Sequence, residues 1–238
     1  SYLFWYILYM KKGKFIVIDG TDGSGKATQV KLLAERLKKE GKKVQIVDFP
    51  EYYDNFFGKF IGHCLSEQYY NWLKVHPKIA SVVYAADRFE SKEKIEGFLK
   101  KGYIVIANRY VSSNQIHQGG KIASAKKRAD FIKWLDEMEY GVFKIPRPDM
   151  TLYLSLPISI TLQLIGERDG KMKREYLKKK KDVHESDTDF LVNSRKSAMW
   201  LVNKVPNFYK IECSAKTGIL SREIIHEKVY EEVKKIVK

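Results

Sequence analysis

Cysteine is nearly absent from this chain: Cys64 and Cys213 are the only two in 238 residues. They form neither a metal-ligand spacing nor a disulfide framework, which suits a reducing cytosol. Long hydrophobic runs are missing as well. Tyr2 to Tyr9 is apolar but falls far short of the ~20 residues that a membrane-crossing helix needs. It has no basic flank before it and no small-residue cleavage site after it, so it does not read as a signal peptide. Met10-Lys-Lys-Gly-Lys leads straight into the first strand-like run. Residues 1–9 are therefore read as an N-terminal extension without catalytic meaning, with a membrane-surface anchor as the alternative. There is no internal repeat and no Pro/Ser-rich linker, so residues 10–238 are read as one domain. Acidic residues are in deficit, 29 against 44 basic, for a formal charge of +15. That balance points to an anionic ligand. No RNA- or DNA-binding motif accompanies it, so a nucleic-acid partner is not expected.

What the chain does contain is an alternation of strand-like and helix-like segments. Phe15 to Asp19, Val44 to Phe49, Tyr103 to Ala107, Pro148 to Leu156 and Phe208 to Glu212 are short runs rich in apolar and β-branched residues. Such runs suit buried parallel strands. Between them lie helical periodicities. Val30, Leu33, Ala34 and Leu37 share one face of a helix after the first strand. Lys78 to Lys100 reads as a single long helix closed by Gly102, Ala125 to Tyr140 as another, Pro157 to Glu167 as the opening of a third, and Ser221 to Val237 as the last. The pattern predicts an α/β fold: a parallel β-sheet of about five strands, helices on both faces, and ligands at the carboxyl ends of the strands.

The first strand ends in Gly20-Thr-Asp22-Gly23-Ser24-Gly25-Lys26-Ala27-Thr28. This is G-x-x-x-x-G-K-[ST] with its last position broken, since Ala27 stands where a hydroxyl belongs and Thr28 comes one residue late. Strand, glycine loop and helix start are what a phosphate site needs. Bare backbone N–H groups converge on the anion, and the helix dipole favours it. Gly20 through Thr28 are therefore expected to bind ATP, with Lys26 reaching its β- and γ-phosphates. The sheet is read as a P-loop NTPase-type sheet.

Further motifs follow in order: Phe49-Pro-Glu-Tyr52, Tyr84-Ala-Ala-Asp-Arg88, Asn108-Arg109-Tyr110 with Ser113-Asn114, and Pro148-Asp149. In this order, from about Lys14 to the C-terminus, the chain resembles the thymidylate kinase family. The resemblance implies transfer of the γ-phosphoryl of ATP to dTMP, with Mg²⁺ accompanying the ATP, in a cytoplasmic homodimer. It implies that Asp22 contacts the dTMP sugar and Tyr52 the sugar-phosphate. Tyr84 would stack on thymine, Arg88 and Asn114 bond the base, and Arg109 grip the acceptor phosphate. Tyr84 and Arg88 lie one helical turn apart, so one helix face can carry both. In-line transfer asks for positioning and charge neutralisation rather than covalent help.

Asn108 replaces the aspartate usual in the family near the metal, and Ala27 removes the loop hydroxyl. The amide oxygen of Asn108 can still accept from a metal-bound water. Members with glycine at the Gly23 position take their catalytic arginine from a lid. Here that implicates Arg168 or Arg174, in a basic segment at about 168–181 with eight basic and two acidic residues. Lys178 to Lys181 read as a solvated face within it. His117 lies near a family tyrosine that crowds a ribose 2′-hydroxyl, or is a structural histidine; His184 caps or pairs with the lysine run. Two alternatives stay open: a kinase of another nucleoside or nucleotide, and a degenerate nucleotide-binding protein without catalysis.

Overall fold

The computed structural model describes residues 13–21, 23–66, 71–164, 188–216 and 218–237. Strand β1 (Lys14–Gly20) leads to helix α1 (Lys26–Lys39), β2 (Val44–Asp48) and α2 (Phe56–Leu65). Helices α3 (Pro77–Glu90) and α4 (Lys92–Lys100) precede β3 (Ile104–Asn108). A short helical segment, Val111–Ser113, runs on as a π-helical turn, Asn114–Gln118; together they are α5. Helix α6 (Ala125–Asp136) also ends in a π-helical turn, Glu137–Val142, ahead of β4 (Met150–Ser155). Residues 158–164 are helical (α7). Then come α8 (Thr188–Lys204), β5 (Phe208–Glu212), a hairpin of β6 (Ser214–Ala215) and β7 (Gly218–Ile219), and α9 (Arg222–Val233).

The main sheet has the order β2-β3-β1-β4-β5, and every pairing is parallel. The five expected strands are the five found. Alternation along β1 divides the core, as the period of two requires. Ile16 and Ile18 face Val30, Leu33 and Leu37 of α1 and Val229 and Val233 of α9. Phe15 and Val17 face Val105, Tyr110 and Ile95 on the other side. Asp149 closes the amino-terminal edge: it accepts from the Phe15 amide at 2.8 Å and donates its own amide to the Phe15 carbonyl at 2.8 Å.

Two readings are corrected. The helix expected over Lys78 to Lys100 is two helices, broken at Ser91. There the Ser91 amide bonds the Arg88 carbonyl and the Ser91 hydroxyl accepts from Asn55. Tyr103 lies before β3 rather than in it, its amide turned to the Phe98 carbonyl. The apolar residues of α3 are not all core: Ile79 is 60% exposed, Val82 43% and Phe89 49%, while Asp87 and Arg88 are 1% and 2% exposed. At Asp87 and Arg88 this helix turns charge inward, while Ala80 and Ala85 stay in contact with the core.

Candidate active site

Glycine geometry builds the loop after β1. Gly23 and Gly25 have φ of 79° and 84°, in the left-handed region that costs side-chain-bearing residues most. Gly25 caps α1. A Cβ on Gly20 would lie 2.8 Å from the Leu154 carbonyl oxygen, so only glycine lets the loop leave the sheet there. The Lys26 ammonium bridges the Gly20 and Thr21 carbonyls at 3.0 and 2.8 Å. Ser24 is buried beside it, whereas Ala27 and Thr28 are exposed on the first turn of α1. Asp22, Arg168 and Arg174 lie outside the described residues.

Arg109 follows β3 with φ 65°, an uncommon conformation for an arginine, and its amide bonds the Ile18 carbonyl at 3.0 Å. Its Nη1 lies 3.1 Å from His117 Nε2. A guanidinium only donates, so Nε2 accepts and His117 carries its proton on Nδ1 in this arrangement. The histidine that the sequence left undecided therefore holds Arg109. His117 also stacks on Phe190 of α8, ring centroids 6.2 Å apart.

Asn108 and Asp48 are register partners at the carboxyl ends of β3 and β2. The Asp48 carboxyl is pushed above the ordinary carboxylate range by burial, against the pull of its hydrogen bond with Asn108 and the charge of Arg109. Thr21 Oγ1, Ser24 Oγ and Asn108 Oδ1 are buried without a hydrogen-bond partner. Such orphaned oxygens need partners, and they fit phosphate oxygens and the waters of a hydrated cation. Among the described residues no cluster of three or more His, Cys, Asp or Glu could hold a metal ion. The residues thus suit Mg²⁺ carried by ATP and contacted through water, Asn108 accepting.

On α3, Tyr84 and Arg88 share a face as expected, and Tyr84 accepts from Trp72 Nε1 at 3.2 Å. Arg88 meets a residue that the sequence did not signal. Its Nε and Nη2 each bond the Glu139 carboxylate at 2.6 Å, and Asn114 Nδ2 reaches Glu139 Oε1 at 3.2 Å. Glu139 is 0% exposed. Tyr52 is 40% exposed in the loop after β2. Asp87 anchors that loop, accepting from the Glu51 amide at 3.2 Å and Asn55 Nδ2 at 2.9 Å. Asp19 is a second missed residue, buried under the phosphate loop and bonded to Ser112 and Ser113.

A parallel sheet of this order, with a glycine loop entering a helix and an arginine from the neighbouring strand end beside it, defines a P-loop phosphotransferase. Comparison narrows the class. The thymidylate kinase family model matches residues 18–224. A "Probable thymidylate kinase" of Pyrococcus abyssi is 30% identical over 225 residues, 94% of this chain and 97% of that protein. One from Pyrobaculum aerophilum is 32% identical over 172 residues, 72% of this chain and 79% of the other. A solved thymidylate kinase from Candida albicans superposes with a TM-score of 0.71 at 21% identity, covering 95% of this chain and 94% of that one; at that identity it speaks for the fold. The chain belongs to the thymidylate kinase family.

Proposed function

We propose that the chain transfers the γ-phosphoryl group of MgATP to dTMP, giving dTDP and ADP toward dTTP synthesis. One observation carries this reading: the phosphate loop and the acceptor arginine hang from adjacent residues of one strand. The Ile18 carbonyl holds Arg109, the Asp19 carboxylate holds the turn that follows it, and the loop begins at Gly20. This supports a reading in which donor and acceptor phosphates face each other, which is most of what phosphoryl transfer asks of a protein.

Lys26 and the amides of Gly23 and Gly25 hold the ATP phosphates, while the Gly20 amide is spent on Asp19 and the Ser24 amide on the Thr21 carbonyl. Arg109 grips the dTMP phosphate, with Asp22 and Tyr52 toward the sugar and Tyr84, Arg88 and Asn114 around the base. Arg168 or Arg174 supplies positive charge from the 168–181 segment. Asn108 would contact Mg²⁺ through water, and the ion would supply charge neutralisation at the phosphate oxygens. The outward Ile79, Val82 and Phe89 of α3, with Phe56 71% exposed on α2, support a homodimer joined through this face. No described helix is long and apolar enough to cross a membrane, and a cytoplasmic site of action fits the substrates. A coupled ADP-release assay across the nucleoside monophosphates tests the reading: turnover is expected with dTMP and Mg²⁺, and turnover with another monophosphate but not dTMP would overturn it.

A further inference from the structure

The buried carboxylate of Glu139 does more than pair with Arg88. Its two oxygens take two 2.6 Å bonds from the guanidinium, and a carboxylate held in that fork serves its neighbours as an acceptor. The Asn114 amide touches two acceptors: this carboxylate at 3.2 Å and the Ser81 carbonyl at 3.2 Å. Only its NH₂ end can face them, because an amide oxygen placed there would meet lone pairs on both sides. The amide nitrogen of Asn114 is thereby committed, and Oδ1 is the atom left to meet a ligand. The same carboxylate takes Nε and Nη2 of Arg88, leaving Nη1. Neither side chain makes another hydrogen bond among the described residues. One helical turn before Tyr84 on the same helix, Ser81 Oγ is also buried without a partner.

We infer that Glu139 is a specificity-determining positioning residue, which fixes the pair Arg88–Asn114 as one donor beside one acceptor. The inference rests on the placing of the base against these two side chains. A pyrimidine with a 4-oxo group and an N3–H offers an acceptor beside a donor, the complement of that pair. A 4-amino pyrimidine offers a donor beside an unprotonated N3, the opposite polarity at both positions. Binding it would leave buried polar groups facing their own kind, and such mismatches discriminate far better than a missing methyl group. Glu139 thus rejects cytosine nucleotides without touching the base.

Glu139→Gln tests this. Glutamine keeps the size but can turn its NH₂ toward Asn114, which leaves the Ser81 carbonyl as the single acceptor holding the asparagine amide and weakens its fixed orientation. The kcat/KM ratio of dTMP over dCMP is expected to fall about tenfold or more, through KM for dTMP, with KM for ATP unchanged. A lower melting temperature with an unchanged ratio would reduce Glu139 to a structural ion pair and overturn the inference. Should the variant fail to fold, calorimetric binding to the wild type decides. dTMP and dUMP are expected to bind at least tenfold more tightly than dCMP and N3-methyl-dTMP, and equal binding of all four overturns the inference. A wild type that binds dTMP over dCMP yet transfers no phosphoryl group would sink the kinase reading and leave this inference standing.

Discussion

Asp19 accepts the hydroxyl of Ser112 at 2.5 Å, joining the carboxyl end of β1 to the segment that follows Arg109. Ser113 donates to the same oxygen at 2.8 Å, and the other oxygen takes the Gly20 amide at 2.8 Å. A carboxylate with no exposed surface is stabilised only by such donors. These three bonds tie the loop after β1 to the segment that follows Arg109.

Asp19→Asn is therefore expected to keep the fold but loosen that tie. An amide retains one acceptor and brings a donor against the Ser112 and Ser113 hydroxyls. Stability should fall by about 1–3 kcal/mol, read by denaturant titration. kcat should fall with it while ATP affinity, measured by nucleotide titration, holds. Unchanged kcat would show that the bridge supports only the fold.

Lys26→Ala tests the proposed role of the loop lysine. On the proposed function its ammonium serves where charge develops in the transition state, so kcat should drop by ~10²-fold or more. Lys26 is 8% exposed and bonded to two loop carbonyls, so the melting temperature should also be compared. Turnover near that of the wild type would remove the lysine from the mechanism.

The sheet and its loop were legible because a buried parallel strand and a phosphate loop are both written locally. Each strand is a compact apolar run, and each loop glycine answers a backbone demand. Helix α2 was not legible. Phe56-Phe-Gly-Lys-Phe-Ile-Gly-His carries two glycines, which weaken helix propensity. A Cβ on Gly58 would lie 2.0 Å from the Glu51 carbonyl oxygen, so tertiary packing chose that residue. Glu139 was hidden for another reason. It lies in a π-helical turn, where the 3.6-residue period used to assign faces no longer holds, and its partner is 51 residues away. The inward Asp87 and Arg88 of α3 were equally invisible, because hydrophobic phase cannot tell a core face from an exposed one.

Arg109→Lys should fail with dTMP and spare ATP. Lysine keeps the charge but offers a point rather than a fork, losing the bond to His117 Nε2 and bidentate contact with a phosphate. kcat/KM for dTMP should fall roughly 10- to 100-fold, the worth of one or two charged hydrogen bonds. Equal damage to both substrates would make the arginine structural, a real alternative given its φ of 65°.

The Asp48 carboxyl gives a pH signature. Burial raises its pKa over the ordinary value, outweighing Asn108 and Arg109. A carboxyl that binds its proton more tightly when folded adds stability below its unfolded pKa and loses it as pH rises through the folded value. Asp48→Asn is expected to raise the melting temperature at neutral pH. The gain should vanish below about pH 3.9, where the wild-type carboxyl is protonated in both states. A melting temperature lowered at neutral pH would mean that Arg109 and Asn108 outweigh the burial.

Ala27 and Asn108 decide whether the departures from the family pattern are adaptation or decay. Mg²⁺ usually keeps several waters and takes few protein ligands, so the loss of one hydroxyl and one carboxylate need not disable the site. Asn108 Oδ1 is buried and unpartnered, poised to accept from a water, and Asp48 in register beside it keeps a carboxyl at that edge of the sheet. The wild type is thus expected to turn over dTMP only with Mg²⁺. Ala27→Ser should shift the apparent Mg²⁺ affinity in an activity titration by less than about tenfold, because one water-competing ligand is worth roughly a hydrogen bond. Asn108→Asp would place a second carboxyl against Asp48 and raise the pKa of one of them, so it should cost stability at neutral pH rather than improve catalysis. If the wild type is inactive and Ala27→Ser with Asn108→Asp gains turnover, the chain is a nucleotide-binding protein that has lost its chemistry.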